Sequence, residues 1–104
     1  MNDELKAKWV AALRSGEYSQ GTGYLRQARW NTFCCLGVLA DTINPLDWNG
    51  QTSDGKGGAY LWRGMSFNLP SEIVSNDKQA ILTNMNDIGW YSFDEIATYI
   101  EENL

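Results

Sequence analysis

The sequence contains no histidine, and only two cysteines and two prolines among 104 residues. Without histidine the chain lacks the usual general base near neutral pH, the histidine-containing catalytic triads and the histidine motif of zinc proteases. The phosphate-binding patterns G-x-x-x-x-G-K-[ST] and G-x-G-x-x-G are absent as well. We therefore expect a protein that is not an enzyme, with no catalytic residues and no cofactor.

Long apolar runs are missing too. No run approaches the roughly 20 residues that cross a bilayer, and the N-terminal segment MNDELKAKW lacks the basic-then-apolar pattern of a signal peptide. We expect a cytoplasmic protein that does not contact membranes. In such a reducing compartment the two cysteines are not expected to form a disulfide.

Basic residues are scarce in the C-terminal part of this acidic chain, whose net charge is −5. Residues 1–63 hold seven Lys/Arg against six Asp/Glu, whereas residues 64–104 hold one against seven. Proteins that bind nucleic acid in general need clustered Lys and Arg to neutralise phosphates, so we expect no such binding. The N-terminal third remains open to a small anion, and the acidic C-terminal third is a candidate protein-binding surface.

The two cysteines are adjacent, in the apolar run FCCLGVLAD. Zinc-binding cysteines normally occur as C-x-x-C pairs or together with histidines, and adjacent residues of a helix point about 100° apart. Cys34 and Cys35 are therefore not expected to bind a metal, and we predict no metal site.

A reactive thiol remains the alternative reading of these cysteines. A helix start and the cations Arg26 and Arg29 nearby in sequence are features that lower a thiol pKa. The apolar neighbours instead favour cysteine as a small buried side chain, which is the interpretation we prefer. Gly37, inside the same predicted helix, indicates close contact with another element or a ligand.

The hydrophobic content of 43% and the aromatic content of 12% predict one folded domain over residues 1–104. Apolar spacing, caps and breakers define its elements. Helices are predicted over 3–14, 33–43 with Thr32 as cap, 78–86 with Ile81, Leu82 and Met85 on one side, and 93–104 behind the capping box of Ser92 and Glu95, with a further helical start at Pro70. Strands are predicted over 24–30 and within 59–68, and a loop over 46–58.

These elements predict the α+β class, with three to four helices packed on a small antiparallel or mixed sheet. Strands and helices do not alternate along the chain as βαβ units would, which is why a parallel sheet is not expected.

The candidate binding site centres on the stretch GTGYLR, where glycine lets backbone N–H groups approach an anion and neighbouring side chains donate hydrogen bonds. The alternative interpretation of this stretch is a hairpin or loop turn without a binding role. Five tryptophans and five tyrosines exceed the packing needs of so short a chain, and a planar base stacks well on such rings. The predicted ligand-binding residues are Gln20, Gly21, Thr22, Gly23, Tyr24, Arg26, Arg29, Trp30 and Trp62.

Three stretches carry a resemblance: WVAALRSGEYSQGTGYLR at 9–26, FCCLGVLAD at 33–41, and LTNMNDIGWYSFDEIATYIEENL at 82–104. In them the chain resembles a family of small proteins encoded by tailed bacteriophages and prophages. The resemblance covers about half of the sequence, in one order along the chain. It implies a viral protein made in the bacterial cytoplasm, and it assigns no catalytic residue.

Small phage proteins without enzymatic motifs often look like counter-defence factors, and two binding hypotheses follow. In the first, the predicted site sequesters a nucleotide-derived immune signal without chemistry, as a sponge. In the second, the acidic C-terminal third inhibits a host defence or nucleic-acid-binding protein by occluding its basic face. A structural or regulatory phage protein is a third possibility. A homodimer is compatible with each, because exposed aromatic residues often form subunit interfaces.

Overall fold

The computed structural model of the protein describes residues 1–52 and 57–104. Within them, four α-helices and two small antiparallel sheets confirm the predicted α+β class. The helices are α1 (Asp3–Arg14), α2 (Cys35–Ile43), α3 (Asn76–Asp87) and α4 (Phe93–Asn103), and a 3₁₀ turn spans Pro45–Asp47. The strands are β1 (Arg26–Gln27), β2 (Thr32–Phe33), β3 (Trp48–Gln51) and β4 (Tyr60–Trp62). None of the helices in these two ranges is long and apolar enough to span a membrane.

Side-chain caps fix the starts of α1 and α4, and the cap of α4 is the capping box that the sequence predicted. The side chain of Asn2 accepts the backbone N–H of Leu5 at 2.9 Å. At α4, the hydroxyl of Ser92 accepts the N–H of Glu95, and the Glu95 carboxylate accepts the N–H of Ser92. This reciprocal pair satisfies two backbone donors that the helix itself leaves free.

The start of α2 differs from the prediction. Thr32 lies in β2 and does not cap the helix; Cys34 is the N-cap, and its Sγ accepts the N–H of Gly37 at 3.4 Å. A thiol is an uncommon cap, because sulfur is a weak acceptor. Cys34 is only 8% exposed and therefore belongs to the core. A thiol is less costly to bury there than a hydroxyl group.

The core forms around α2, whose first six residues are all buried. α1 and α3 both contact it, and α4 packs against α1 and α3. The indole N–H of Trp9, on α1, donates to the carbonyl of Cys35 at 2.9 Å, which satisfies the polar atom of a fully buried ring. α2 is therefore covered on all its faces near its N-terminus.

The tightest contact with α2 is made by Leu25, just before β1. A Cβ added to Gly37 would lie 1.7 Å from the carbonyl oxygen of Leu25, and that same oxygen accepts the N–H of Cys34 at 3.1 Å. Only glycine permits this approach of backbone to backbone. The close contact that Gly37 predicted is confirmed, and its partner is the chain itself.

The backbones of the two hairpins meet beside β1. Gln27 of β1 bridges Ala59, and the N–H of Ala28 donates to the carbonyl of Gly58 at 3.2 Å. The strand predicted over 24–30 shrinks to two residues, because the chain turns at Asn31, where φ is +51°, and pairs back on itself. The sheet predicted from 24–30 and 59–68 is thus mostly two separate hairpins.

The loop predicted over 46–58 is wrong in its first part. Trp48–Gln51 forms β3 and pairs with β4 in an antiparallel ladder with an irregular register. Residues 53–56 of that predicted loop lie outside the described residues. Pro70 starts only a single turn, closed by the N–H of Ile73, and α3 begins later, after the cap Ser75.

A substitution of Gly37 tests the contact with Leu25. Gly37→Ala improves helix propensity by about 1 kcal/mol, yet its methyl group would overlap a backbone oxygen, so we expect a net loss of at least about 2 kcal/mol in unfolding free energy. Urea denaturation measures the difference.

Gly64→Ala is the matched control. Gly64 has a φ of +81° and open space around it, so the control reports backbone strain alone, about 1 kcal/mol. A Gly37→Ala protein as stable as Gly64→Ala would contradict the proposed close contact.

Candidate functional site

The glycine turn that was predicted to bind an anion is engaged within the fold. The N–H of Gly21 donates to the carbonyl of Phe33 at 2.8 Å. The amide of Gln20 donates to Asn86 and to the carbonyl of Tyr91, both at 2.9 Å. These two predicted ligand residues therefore hold the turn in place and do not present free donors, which corrects that part of the prediction.

Thr22, Gly23 and Tyr24 complete the turn. The carbonyl of Thr22 accepts a hydrogen bond from Gln27, and Gly23 adopts a φ of +88° that glycine favours. The ring of Tyr24 lies 5.1 Å from that of Phe67. The turn interpretation accounts for these three residues.

Arg26 lies among three aromatic rings of its own chain. Its guanidinium carbon is 5.0, 5.2 and 4.5 Å from the ring centres of Phe33, Trp48 and Tyr60. Its Nε also donates to Asn31 at 2.8 Å. These rings belong to β2, β3 and β4. The guanidinium therefore links the two hairpins, which share few backbone hydrogen bonds. We assign Arg26 a structural role first.

Trp62 is inaccessible, whereas Arg29 and Trp30 are not. Trp62 is fully buried, its N–H donates to the carbonyl of Asn44 at 3.0 Å, and Arg63 lies 4.2 Å from its ring centre. A base cannot stack on it, and its assignment as a ligand residue is wrong. Arg29 stacks on Trp30 at 4.8 Å, and Trp30 is 65% exposed.

Both cysteines pack in the core, as the preferred interpretation predicted. Burial raises the pKa of Cys34 to about 12 and raises the pKa of Cys35 well above its usual value. The thiol of Cys35 points at the carbonyl of Leu82, 3.7 Å away. Both groups stay neutral thiols at physiological pH and are poor nucleophiles. Among the described residues, no cluster of three or more His, Cys, Asp or Glu side chains is suited to a metal.

The surface of α3 carries an unusual distribution of side chains. Its buried face contains Gln79, Leu82 and Asn86, whereas Ile81 and Ile88 are exposed. A surface helix normally turns its apolar residues inward and its polar residues outward. Here two of the three buried residues are amides, and Ile81, which was predicted on one side of the helix with Leu82, is exposed while Leu82 is buried.

The buried amides have a clear structural purpose. Gln79 accepts the N–H of Leu69 and donates to the carbonyls of Leu69 and Val74, at 2.8 to 2.9 Å. Asn86 donates to the carbonyl of Gly21 at 2.8 Å and accepts from Gln20. They satisfy backbone groups of irregular segments, which would otherwise be costly to bury. The need to pair these backbone groups explains why amides lie on the buried face of α3. It does not explain why apolar residues lie on the exposed face.

The exposed apolar residues line a groove between α3 and α4, which we call the α3–α4 groove. It consists of two adjoining depressions of about 320 and 560 Å³ that share Ile81, Met85 and Tyr91. The remaining lining residues are Asn84, Ile88, Gly89, Glu95, Thr98, Tyr99 and Glu102. Apolar side chains supply the floor and one wall, and the carboxylates lie on the other.

Trp90 lies in the turn between the two helices, next in sequence to Gly89 and Tyr91, which line the groove. It is 91% exposed and has a φ of +58°, in the left-handed region that bulky residues seldom occupy. Ile88, two residues earlier, is 70% exposed. Tryptophan at such a position costs free energy in the isolated chain and is the residue type most enriched at binding hot spots.

None of the residues predicted to bind a ligand lines this groove. The signal was present: Ile81, Met85 and Ile88 follow the i, i+4, i+7 spacing of one helix face. That stripe is distinct from the one that contains Leu82. Recognising both stripes on one short helix would have indicated that one of them faces outward.

Comparison with protein families gives a match over the whole chain. The family model described as Domain of unknown function (DUF8296) matches residues 1–104. No curated protein and no solved structure matches the chain.

The structural role of Arg26 is testable against its neighbour Arg29. Arg26→Ala removes three cation–π contacts and the packing of the side-chain stem, so we expect a loss of about 1–3 kcal/mol in unfolding free energy. Arg29→Ala changes an exposed side chain and should stay within about 0.5 kcal/mol of the native chain. Urea denaturation of both variants measures the difference. Equal and small losses of unfolding free energy in the two variants would contradict the structural role of Arg26.

Proposed function

The chain belongs to the DUF8296 family along residues 1–104, and from its surface we propose that it is a non-enzymatic module that binds another protein through the α3–α4 groove. The observation that carries the proposal is the exposed apolar surface at and just after α3, where Ile88 is 70% exposed and Trp90 is 91% exposed. Contiguous exposed apolar surface is costly in water and typically marks an interaction site.

The composition of the groove favours a protein partner over a small molecule. It is shallow and open, whereas sites for small ligands are concave and enclose most of the ligand. Tryptophan, tyrosine and methionine, which the groove and its end provide, are enriched in protein interfaces. Its edge is acidic, which agrees with the hypothesis that the C-terminal third captures a basic protein surface.

The resemblance to phage and prophage proteins gives this activity a setting. We propose that the protein acts in the cytoplasm of the bacterial host as a counter-defence inhibitor. A defence or nucleic-acid-binding protein of the host would be captured through its basic face and so kept from its own ligand. Charge complementarity of this kind speeds association and selects the partner.

A second candidate function is the sequestration of a nucleotide-derived immune signal. It is supported by Arg29, which stacks on the exposed Trp30 and so offers a cation beside a ring. Its support is narrower than the sequence indicated, since Gln20, Gly21 and Trp62 have structural partners. A rise in melting temperature with nucleotides, lost in Arg29→Ala, would favour it over protein binding.

Substitutions in the groove test the proposed function. In the variant Ile88→Ser/Trp90→Asn two exposed apolar side chains are lost, and asparagine tolerates the left-handed backbone of residue 90. We expect unchanged stability and a weakening of partner binding by at least about 30-fold, as for hot-spot residues. The measurement is the affinity of each purified variant for the host protein that the native chain retains from bacterial lysate.

Leu46→Ser is the matched control, because Leu46 is 87% exposed and lies on the 3₁₀ turn, outside the groove. It should bind as the native chain does. If the groove variant retains native affinity, or if Leu46→Ser weakens binding equally, the α3–α4 groove is not the binding surface.

A further inference from the structure

The two walls of the α3–α4 groove differ in chemistry. One wall is formed by Ile81, Met85 and Ile88 at i, i+4 and i+7 of α3 and its end. The opposite wall has the same spacing on α4, with Glu95, Tyr99 and Glu102. Seven residues of helix span about 10 Å, so each wall extends over roughly two helical turns.

The acidic wall carries negative charge that the groove does not neutralise. Its lining within residues 1–52 and 57–104 includes two carboxylates and no lysine or arginine. One oxygen of Glu95 accepts the N–H of Ser92, and a carboxylate has capacity for further donors. Arg14 forms an ion pair with Glu101 of α4. Glu101 lies on another side of that helix, away from the groove. The charge of this wall is therefore available to a partner.

An α-helix is the element that fits such a groove. A helix is about 10 Å across and anchors itself by apolar residues at i, i+3, i+4 and i+7. An added β-strand requires an open sheet edge, and both walls here are helices whose backbone groups are already paired. The length and the two helical walls favour about two turns of a partner helix.

The charge selects among possible helical occupants. A second copy bound through the same face would place the carboxylates of two acidic walls in one interface, and the described lining residues include no lysine or arginine to pair with them. A nucleic acid would place phosphates beside them. Lysine or arginine along one edge of the partner helix would instead pair with Glu95 and Glu102, while its apolar face covers Ile81 and Ile88.

Resting on the proposed function, we infer that the α3–α4 groove binds one amphipathic helix of a partner protein, whose apolar face packs on α3 and whose basic edge lies along α4. The acidic wall is the specificity-determining feature, and the apolar wall supplies most of the affinity.

Two designed peptides test this inference. Both are amphipathic helices of about 18 residues, long enough to be helical in part, with leucine at i, i+3, i+4 and i+7. One carries lysine along the edge beside the leucines and the other carries glutamate there. We expect the native chain to bind the lysine peptide at least about tenfold more tightly by calorimetry, and added salt to reduce the difference.

The matched variant of the chain is Glu95→Gln/Glu102→Gln. Glutamine keeps the size of both side chains and serves the capping box as well as glutamate does, so the fold is preserved. This variant should lose most of the preference for the lysine peptide, a change of at least about fivefold. Sedimentation of the native chain and of Ile88→Ser measures self-association through the same face.

The outcomes separate this inference from the function on which it rests. Equal binding of both peptides, tighter binding of the glutamate peptide, or a dimer that Ile88→Ser dissociates would overturn the basic-helix assignment. The protein-binding function would still stand if the variant Ile88→Ser/Trp90→Asn bound the cellular partner more weakly than the native chain does. If that variant bound the cellular partner as the native chain does, the proposed function would fail, whatever the peptides did.

Discussion

The close approach of the Leu25 carbonyl to Gly37, where a Cβ would overlap the carbonyl oxygen, sets the geometry on which the rest of the fold depends. It presses the β1–β2 hairpin against the first turn of α2, where the same carbonyl also accepts the N–H of Cys34. Trp9 occupies another side of this turn through its bond to Cys35. α3 also contacts α2, and the carbonyl of Leu82 on α3 lies 3.7 Å from the Cys35 thiol. Of the other apolar residues of α3, Met85 is partly buried against the core, whereas Ile81 is exposed.

Several elements of this arrangement are predictable because their causes are local. The capping box at Ser92 depends on residues three positions apart, and the close approach at Gly37 follows from a glycine that a buried helix would otherwise disfavour. The burial of the cysteines follows from their apolar neighbours. Each of these signals lies within a few residues of its consequence, which is why the α+β class and the helices could be read from the sequence.

The site was harder to predict because its causes are distant in sequence. Periodicity identified apolar residues on α3 and could not indicate which stripe the rest of the chain covers. Asn86 faces inward because the carbonyl of Gly21, 65 residues earlier, needs a donor. Arg26 could be recognised as a cation near glycines, yet the three rings around it come from β2, β3 and β4. Such roles arise only when segments meet.

In this account the buried amides of α3 hold irregular backbone segments in place. The apolar residues on the solvent-facing side of α3 are available to bind a partner. Hydrogen exchange of the native chain, free and bound to its purified host partner, tests this most directly. The account predicts slowed exchange on binding within residues 81–102, where the groove and Trp90 lie. Slowed exchange confined to residues 20–30, with 81–102 unchanged, would contradict it and return the site to the glycine turn.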